Sequence, residues 1–247
     1  MALLKQNGIP LYVQLEELFT ERIASGEWKV GETIPNELLL CQEFDVSRGP
    51  IRQALDQLVR EGVLKRKQGK GTIVLPPKIE SPLNSFFSFT TLIERTGMRP
   101  GVRLLAFENV LAEKNVAKHL HLVNKAKVFK IRRLRLADDE PLILETVFVP
   151  DAICHELTEN EISTAPLYKI LKQHYGVNLL HSTQFFEPTV ANEFEAQELG
   201  IRKEAPVLLL ENIAYASGDQ PVVFSKAIMR GDRVRYYVEL SAPIDNP

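Results

Sequence analysis

Glycine, proline and helix-capping residues cut the first 75 residues into short segments, and this punctuation constrains the fold more than any other feature. Pro10 precedes Leu11, Val13, Leu15, Leu18, Phe19, Ile23 and Ala24, a spacing of mostly three and four that makes one apolar helical face, and Gly26 stops it. Gly31 and Pro35 bracket an extended stretch, Thr33-Ile34-Pro35. Asn36 then caps a second helix from Glu37 to about Glu43 that turns Leu39, Leu40 and Phe44 inward. Asp45-Val46-Ser47 reverses the chain and Ser47 N-caps a third helix, Arg48 to Arg60. Pro50 falls in its tolerant first turn, and Ile51, Ala54, Leu55 and Leu58 form its buried stripe. Gly62 ends that helix. Val63, Lys65 and Lys67 alternate with Leu64 and Arg66 up to Gln68-Gly69-Lys70-Gly71, and Thr72-Ile73-Val74 returns, which predicts a two-stranded hairpin with a basic, glycine-rich tip.

The formal net charge of −2 conceals a division. Residues 1–45 carry three basic against eight acidic side chains, whereas residues 46–72 carry seven basic against two acidic. Three short helices and a basic hairpin in this order predict a winged helix-turn-helix, with the third helix in a major groove and the wing on backbone or minor groove. Arg48 stands at the end of that helix that reaches base edges, where a guanidinium donates two hydrogen bonds to guanine, and Arg52 lies one turn further on the same face. Ser47 and the first-turn amides suit a phosphate oxygen, and Gly49 permits close backbone approach. At the tip, Gly69 and Gly71 remove side chains while Lys67 and Lys70 add charge. The competing reading of these residues is a solvated basic face on a protein-interaction module.

Leu75-Pro76-Pro77 and the stretch to Pro82 are stiff and poor in large apolar residues, which predicts a first domain over 1–75, a linker over 76–85 and a second domain over 86–247. Beyond the linker, period-two strands are expected at Val102 to Leu111, Val128 to Ala137, Leu142 to Val149, Leu179 to Val190, Val207 to Ala216, Val222 to Met229 and Val234 to Leu240. Helices are expected at Thr90 to Arg95, Ala112 to Leu120, Leu167 to His174 and Ala191 to Leu199. Asp138-Asp139 and Gly218-Asp219 supply hairpin turns, so the expected class is α+β, a winged helix-turn-helix joined to a mixed, largely antiparallel sheet with flanking helices. No apolar run approaches a membrane span, and the first ten residues lack the build of a signal peptide, which predicts a cytoplasmic protein. Cys41 and Cys154 are isolated from each other, so neither a disulfide framework nor a zinc cluster is expected from them, and no metal site or cofactor is expected elsewhere.

In the second domain Arg133 and Arg135 are two apart in a strand and share a face with Ile131. Two guanidiniums on one face need an anion. They take either a bound ligand or an internal carboxylate such as Glu145 or Glu187. Ser88 or Thr90 can cap the helix after Phe89, and Thr91 with Glu94 has capping-box spacing. His119 and His121 straddle a helix end and do not pair as metal ligands. Tyr168 and Tyr175 read as core or rim, and Asp232 as ordering the final turn with Arg233.

Pro10-Leu11-Tyr12, Gly31-Glu32-Thr33-Ile34-Pro35-Asn36-Glu37, Val46-Ser47-Arg48, Ile51-Arg52-Gln53-Ala54-Leu55, Leu58, Glu61-Gly62 and Gln68-Gly69-Lys70-Gly71-Thr72 closely resemble the DNA-binding domain of GntR-type bacterial transcription regulators. The resemblance implies a homodimer on a palindromic double-stranded operator, with Arg48 reading a base and Gly69 at the wing tip. Leu38 departs from the family, which often has an arginine there. Pro35, Glu37, Ser47, Arg48, Gly49, Arg52, Lys67, Gln68, Gly69, Lys70 and Gly71 are the candidate DNA-binding residues.

Gly97-Met98-Arg99-Pro100, Arg133-Leu134-Arg135, Glu145, Leu167-Tyr168, Tyr175-Gly176 and Arg230-Gly231-Asp232-Arg233, in this order, resemble the UTRA effector domain of the HutC subfamily, which shares the chorismate-lyase fold. In relatives that sense phosphorylated amino sugars, the resemblance implies that Ser88, Phe89, Thr90, Arg133 and Arg135 hold phosphate and that Glu145 holds sugar hydroxyls. Tyr168 and Ser225 complete the candidate effector set. Val223-Phe224-Ser225 stands where sugar-sensing relatives often have Glu-Tyr-Ser, and Met229 replaces a frequent tyrosine. The expected function is a DNA-binding regulator, a repressor in most of this subfamily, controlled by an anionic small molecule, a phosphorylated sugar ahead of a carboxylate. The alternative is an enzyme retaining lyase activity in the second domain. Neither a triad order, a nucleotide glycine loop nor a pair of catalytic carboxylates supports it.

Overall fold

The computed structural model describes residues 8–83 and 89–240, so Ser88 lies outside the described residues. The chain divides into two compact units, Met1–Lys78 and Ile79–Pro247.

The first unit holds three helices, α1 (Leu11–Ala24), α2 (Glu37–Phe44) and α3 (Arg48–Arg60), and a hairpin of β1 (Leu64–Lys67) with β2 (Gly71–Val74). Leu15 and Phe19 from α1, Leu40 from α2, Ile51, Leu55 and Leu58 from α3, and Trp28 form one core, each contributing about 1.5–3 kcal/mol through removal from water. Asn36 caps α2, its Oδ1 accepting from the Leu39 amide at 3.0 Å. Asp45 takes a left-handed φ of 51°, which closes α2 and sets the turn into α3. Leu39 departs from expectation: it is exposed, because the short α2 turns only Leu40 fully into the core while Phe44 packs at its edge. Thr33 pairs with Ile73, so the extended stretch before α2 lies beside the hairpin.

In the second unit β3 (Ile79–Pro82) and α4 (Phe89–Arg95) precede β4 (Pro100–Leu111), α5 (Lys114–His119), β5 (Lys127–Ala137) and β6 (Glu140–Pro150). Then follow α6 (Glu159–Thr164), α7 (Leu167–Tyr175), β7 (His181–Val190), α8 (Glu193–Leu199), β8 (Pro206–Ala216), β9 (Gln220–Arg230) and β10 (Val234–Tyr237). Six strands pair antiparallel in the order β4-β5-β6-β9-β8-β7. Asp138-Asp139 and Gly218-Asp219 close two of its hairpins with all four residues at positive φ, as turns matched to strand twist require. One sheet face carries Ile131, Val147 and Val223 against α6 and α7, with Ile143 and Met229 against α4; Leu134, Leu144 and Phe224 pack on the other, which α5 and α8 cover.

Two elements differ from the sequence reading. Ile79–Pro82, inside the expected linker, is strand β3, which pairs parallel with β10. The sequence Ile-Glu-Ser-Pro carries too little alternation to announce a strand, and its partner is distant: Arg235 pairs with Glu80 across 155 residues. Helix α6 was not expected either, although Thr158 and Glu161 form the capping box that starts it. In α4, Thr90 is the second helical residue and Thr91 lies deeper, so neither caps the helix.

A buried ion network pins the β9-β10 turn to the start of β6. Arg230 donates to both oxygens of Asp232 at 3.0 and 2.7 Å and to Glu140 at 2.8 Å, while Arg233 donates to the other Glu140 oxygen at 3.2 Å. Asp232 therefore hydrogen-bonds Arg230, and the Arg233 charge also acts on it. Among the described residues no helix is long and apolar enough to cross a membrane.

Candidate functional site

In the first unit most of the expected DNA-facing residues are exposed. Ser47, Arg48, Gly49 and Arg52 are exposed at the start of α3, and Lys67 to Gly71 are exposed at the hairpin tip. Ser47 stands at the N-cap of α3 without a side-chain bond to the helix, so its hydroxyl is not consumed by capping. Arg48 makes no ion pair among the described residues. Glu37 accepts from Arg52 Nε at 2.8 Å and lies 3.7 Å from Arg66, which also pairs with Asp56 at 2.8 Å. This chain of charges ties α2, α3 and β1 together, and it holds Arg52 in place beside Glu37. Pro35 is half-buried just before α2. Gly69 and Gly71 both take positive φ, and a Cβ on Gly71 would meet Thr33 Cγ2 at 2.8 Å, so the tip is built for glycine.

In the second unit Arg133, Arg135, Glu145, Tyr168, Ser225 and Phe89 line one cavity of about 180 Å³ between the sheet, α4 and α7. Thr90 stands beside it through Arg135, whose Nη2 donates to Thr90 Oγ1 at 3.2 Å. The same two arginines also border a neighbouring cavity of about 210 Å³ lined by Thr90, Gly101 and residues 162–166.

The charges are unequal. Arg133 and Glu145 are register partners on β5 and β6, and Arg133 Nε donates to Glu145 Oε2 at 2.8 Å. Arg135 Nη1 lies 3.7 Å from that same oxygen. Glu187 has no part in the pairing, so among the described residues one carboxylate answers two guanidiniums. The Arg135 guanidinium stacks on Phe89 with its carbon 4.8 Å from the ring centroid, and among the described residues its buried Nε has no hydrogen-bond partner. Burial first, and the adjacent Arg133 charge second, pull Arg135 down to about 10 against partial compensation from Glu145. Burial acts to raise the Glu145 carboxyl, but Arg133 and then Arg135 outweigh it and hold it below the usual carboxylate range.

Two cavity residues escaped the sequence reading. Asn212, only 5% exposed, donates from Nδ2 to the Tyr168 hydroxyl at 3.3 Å and accepts from Gln184 Nε2 at 3.3 Å. An amide side chain directly after the apolar run Leu208-Leu209-Leu210 and Glu211 was the available signal, since a buried amide in a strand calls for partners. Burial pushes the Tyr168 phenol up to about 12, so it stays a neutral donor. His119 stacks on Phe224 at 4.5 Å, a packing role.

A three-helix unit with an exposed basic hairpin, followed by a six-stranded antiparallel sheet around an arginine-lined cavity, is the architecture of a DNA-binding transcription regulator with a ligand-sized chamber. Residues 11–74 match the family described as bacterial regulatory proteins, gntR family, and residues 95–235 match the UTRA domain. The chain belongs to the GntR family of bacterial transcription regulators, in its HutC-type, UTRA-bearing branch. The HTH-type transcriptional repressor NagR of Bacillus subtilis (strain 168) is 34% identical over 232 residues, covering 94% of this chain and 95% of that protein. The probable fructoselysine utilization operon transcriptional repressor of Escherichia coli (strain K12) is 27% identical, covering 93% of this chain and 94% of its own length. The crystal structure of PhnF from Mycobacterium smegmatis is similar with a TM-score of 0.66 at 25% identity, covering 94% of this chain and all of that one.

Proposed function

We propose that the protein is a cytoplasmic repressor that binds a palindromic operator as a homodimer and is controlled by an anionic small molecule held at Arg133 and Arg135. The observation that carries the effector reading is the charge imbalance in the cavity: among the described residues two buried guanidiniums share one carboxylate, and Arg135 Nε has no partner. A phosphate monoester, the class in which a phosphorylated sugar falls, fits two guanidiniums better than a carboxylate, because it brings more charge and more acceptor oxygens. The repressor names of the full-length relatives support the sign of regulation. Ligand and operator are then linked: an effector that favours an arrangement of the two winged helices unmatched to the half-sites lowers operator affinity by the coupling free energy, typically about 1–3 kcal/mol.

On the DNA side, Arg48 reads a base edge, Ser47 and Gly49 approach phosphate, and Arg52 with Lys67 to Gly71 supply further contacts. Arg48→Ala is expected to weaken operator binding more than binding to random DNA, whereas equal losses would contradict base reading. The lyase reading is disfavoured by Glu145, the cavity carboxylate, which its arginines keep ionised and weakly basic. The deciding experiment for the effector is a thermal-shift titration with inorganic phosphate beside the Arg133→Ala, Arg135→Ala double variant. A rise in melting temperature confined to the wild type supports the reading, and equal responses refute it.

A further inference from the structure

The sheet floor of the cavity can be read as a grid of register partners. Arg135 faces Ile143 and then Met229 across β5, β6 and β9, and the next row runs Arg133, Glu145, Ala227 and Leu210 into β8. One row further lie Val147, Ser225, Asn212 and, on β7, Gln184. On these three rows of the sheet the hydrogen-bonding groups fall at two corners, the arginines with Glu145 and the Ser225-Asn212-Gln184 row, while Ser81, Tyr168 and Ser182 stand at the cavity margin. Between them Ile143, Leu210, Ala227 and Met229 form an apolar floor, bordered by Leu92 and Tyr236. That floor is dry in its chemistry. The Tyr236 hydroxyl, which could have met a ligand hydroxyl, donates instead to the Met229 sulfur at 2.9 Å.

We infer that the effector carries an apolar substituent of several carbon atoms, seated on Ile143, Ala227, Met229 and Leu210, in addition to its anionic group, so that an organophosphate with an aliphatic or aromatic body is preferred to an unsubstituted sugar phosphate. This rests on the reading of Arg133 and Arg135 as the anion site. Neighbouring strands are about 4.8 Å apart, so β9 lies about 10 Å from β5. An anion held at the ends of the arginine side chains therefore brings the carbons next to it over Ala227 and Met229. A ring hydroxyl seated against Ile143, Leu210 and Met229 loses water and gains no partner from these floor residues, at a cost of about tenfold or more in affinity for each. A methylene placed there gains about fourfold.

The test is calorimetric titration of the full-length protein with inorganic phosphate, glucose 6-phosphate and cyclohexylmethyl phosphate, the last two being ring phosphates of similar size that differ in hydroxylation. Cyclohexylmethyl phosphate is expected to bind at least about tenfold more tightly than glucose 6-phosphate. Met229→Gln is expected to narrow that ratio. If inorganic phosphate and glucose 6-phosphate bind and the cyclohexyl ester is no better than the sugar, the apolar-body inference is overturned and the anion site stands. If none of the three binds, the anion site is overturned and this inference falls with it. The ligand comparison on the wild type decides the matter even if the variant fails to fold.

Discussion

Arg135→Met is expected to make the ligand-free protein more stable and to deprive it of its response to anions. In the folded protein burial and the neighbouring Arg133 bring this guanidinium from 12.5 to about 10, which corresponds to a penalty of about 3 kcal/mol for keeping it charged at neutral pH. Methionine removes that penalty and fills similar volume. It forfeits the hydrogen bond to Thr90 at 3.2 Å and the stacking on Phe89 at 4.8 Å, roughly 1 kcal/mol each. The balance is a gain of about 1 kcal/mol, or about 2–4 °C in melting temperature for a chain of this size. The assay is thermal and urea denaturation in a buffer free of phosphate and carboxylates. At phosphate concentrations about 100 times the dissociation constant the order should invert, the wild type gaining about 2.7 kcal/mol and the variant little. A variant that is markedly less stable without anions, and that still responds to phosphate, would refute the idea that Arg135 waits for a ligand.

Glu145→Gln tests the other side of the same balance. The folded Glu145 carboxyl sits below its unfolded value, so its contribution is present above about 4.3 and lost as pH falls through the folded value. The stability difference between wild type and Glu145→Gln, measured by denaturation from pH 7 to pH 3, should therefore shrink with acidification. A constant difference would mean that the carboxylate does not compensate the arginines. Glu140→Ala leaves the buried Arg230 and Arg233 without one shared partner, and a loss of about 3–5 kcal/mol in chemical denaturation is expected. Gly71→Ala places a β-carbon at φ +88° and 2.8 Å from Thr33 Cγ2, so a loss of about 1–3 kcal/mol is expected. Adding Thr33→Ala should return the steric part but not the conformational part.

The DNA-binding unit was legible in the sequence because its information is local. Asn36, the Asp45 turn, Ser47 and Gly62 each mark a boundary within a few residues of where it acts, and α1, α2 and α3 fall within a residue of their expected limits. The second unit was legible as strands and turns, Asp138-Asp139 and Gly218-Asp219 above all. Its site was not. Arg133 and Arg135 declared a shared face, but the choice between Glu145 and Glu187 depended on register between β5 and β6, which no local pattern sets. The Tyr168, Asn212 and Gln184 chain joins α7, β8 and β7 over 44 and 28 residues of sequence, and only the folded sheet brings it together. Leu39 was misplaced for the converse reason: the apolar run Leu38-Leu39-Leu40 has no periodicity to separate inward from outward positions.

The parallel pairing of β3 with β10 fixes an order of events during synthesis. Ser81 and Pro82 on β3 and Tyr236 on β10 are all part of the cavity lining, yet the Glu80 and Arg235 that pair across these strands are 155 residues apart. At a translation rate of about 5–20 residues per second, β3 waits roughly 8–30 s on the ribosome before its partner strand exists. The winged unit contains all of its own partners within the first 78 residues and has that interval in which to fold. A nascent chain of this protein therefore completes the unit that binds DNA well before the strands that line the second unit's cavity can pair.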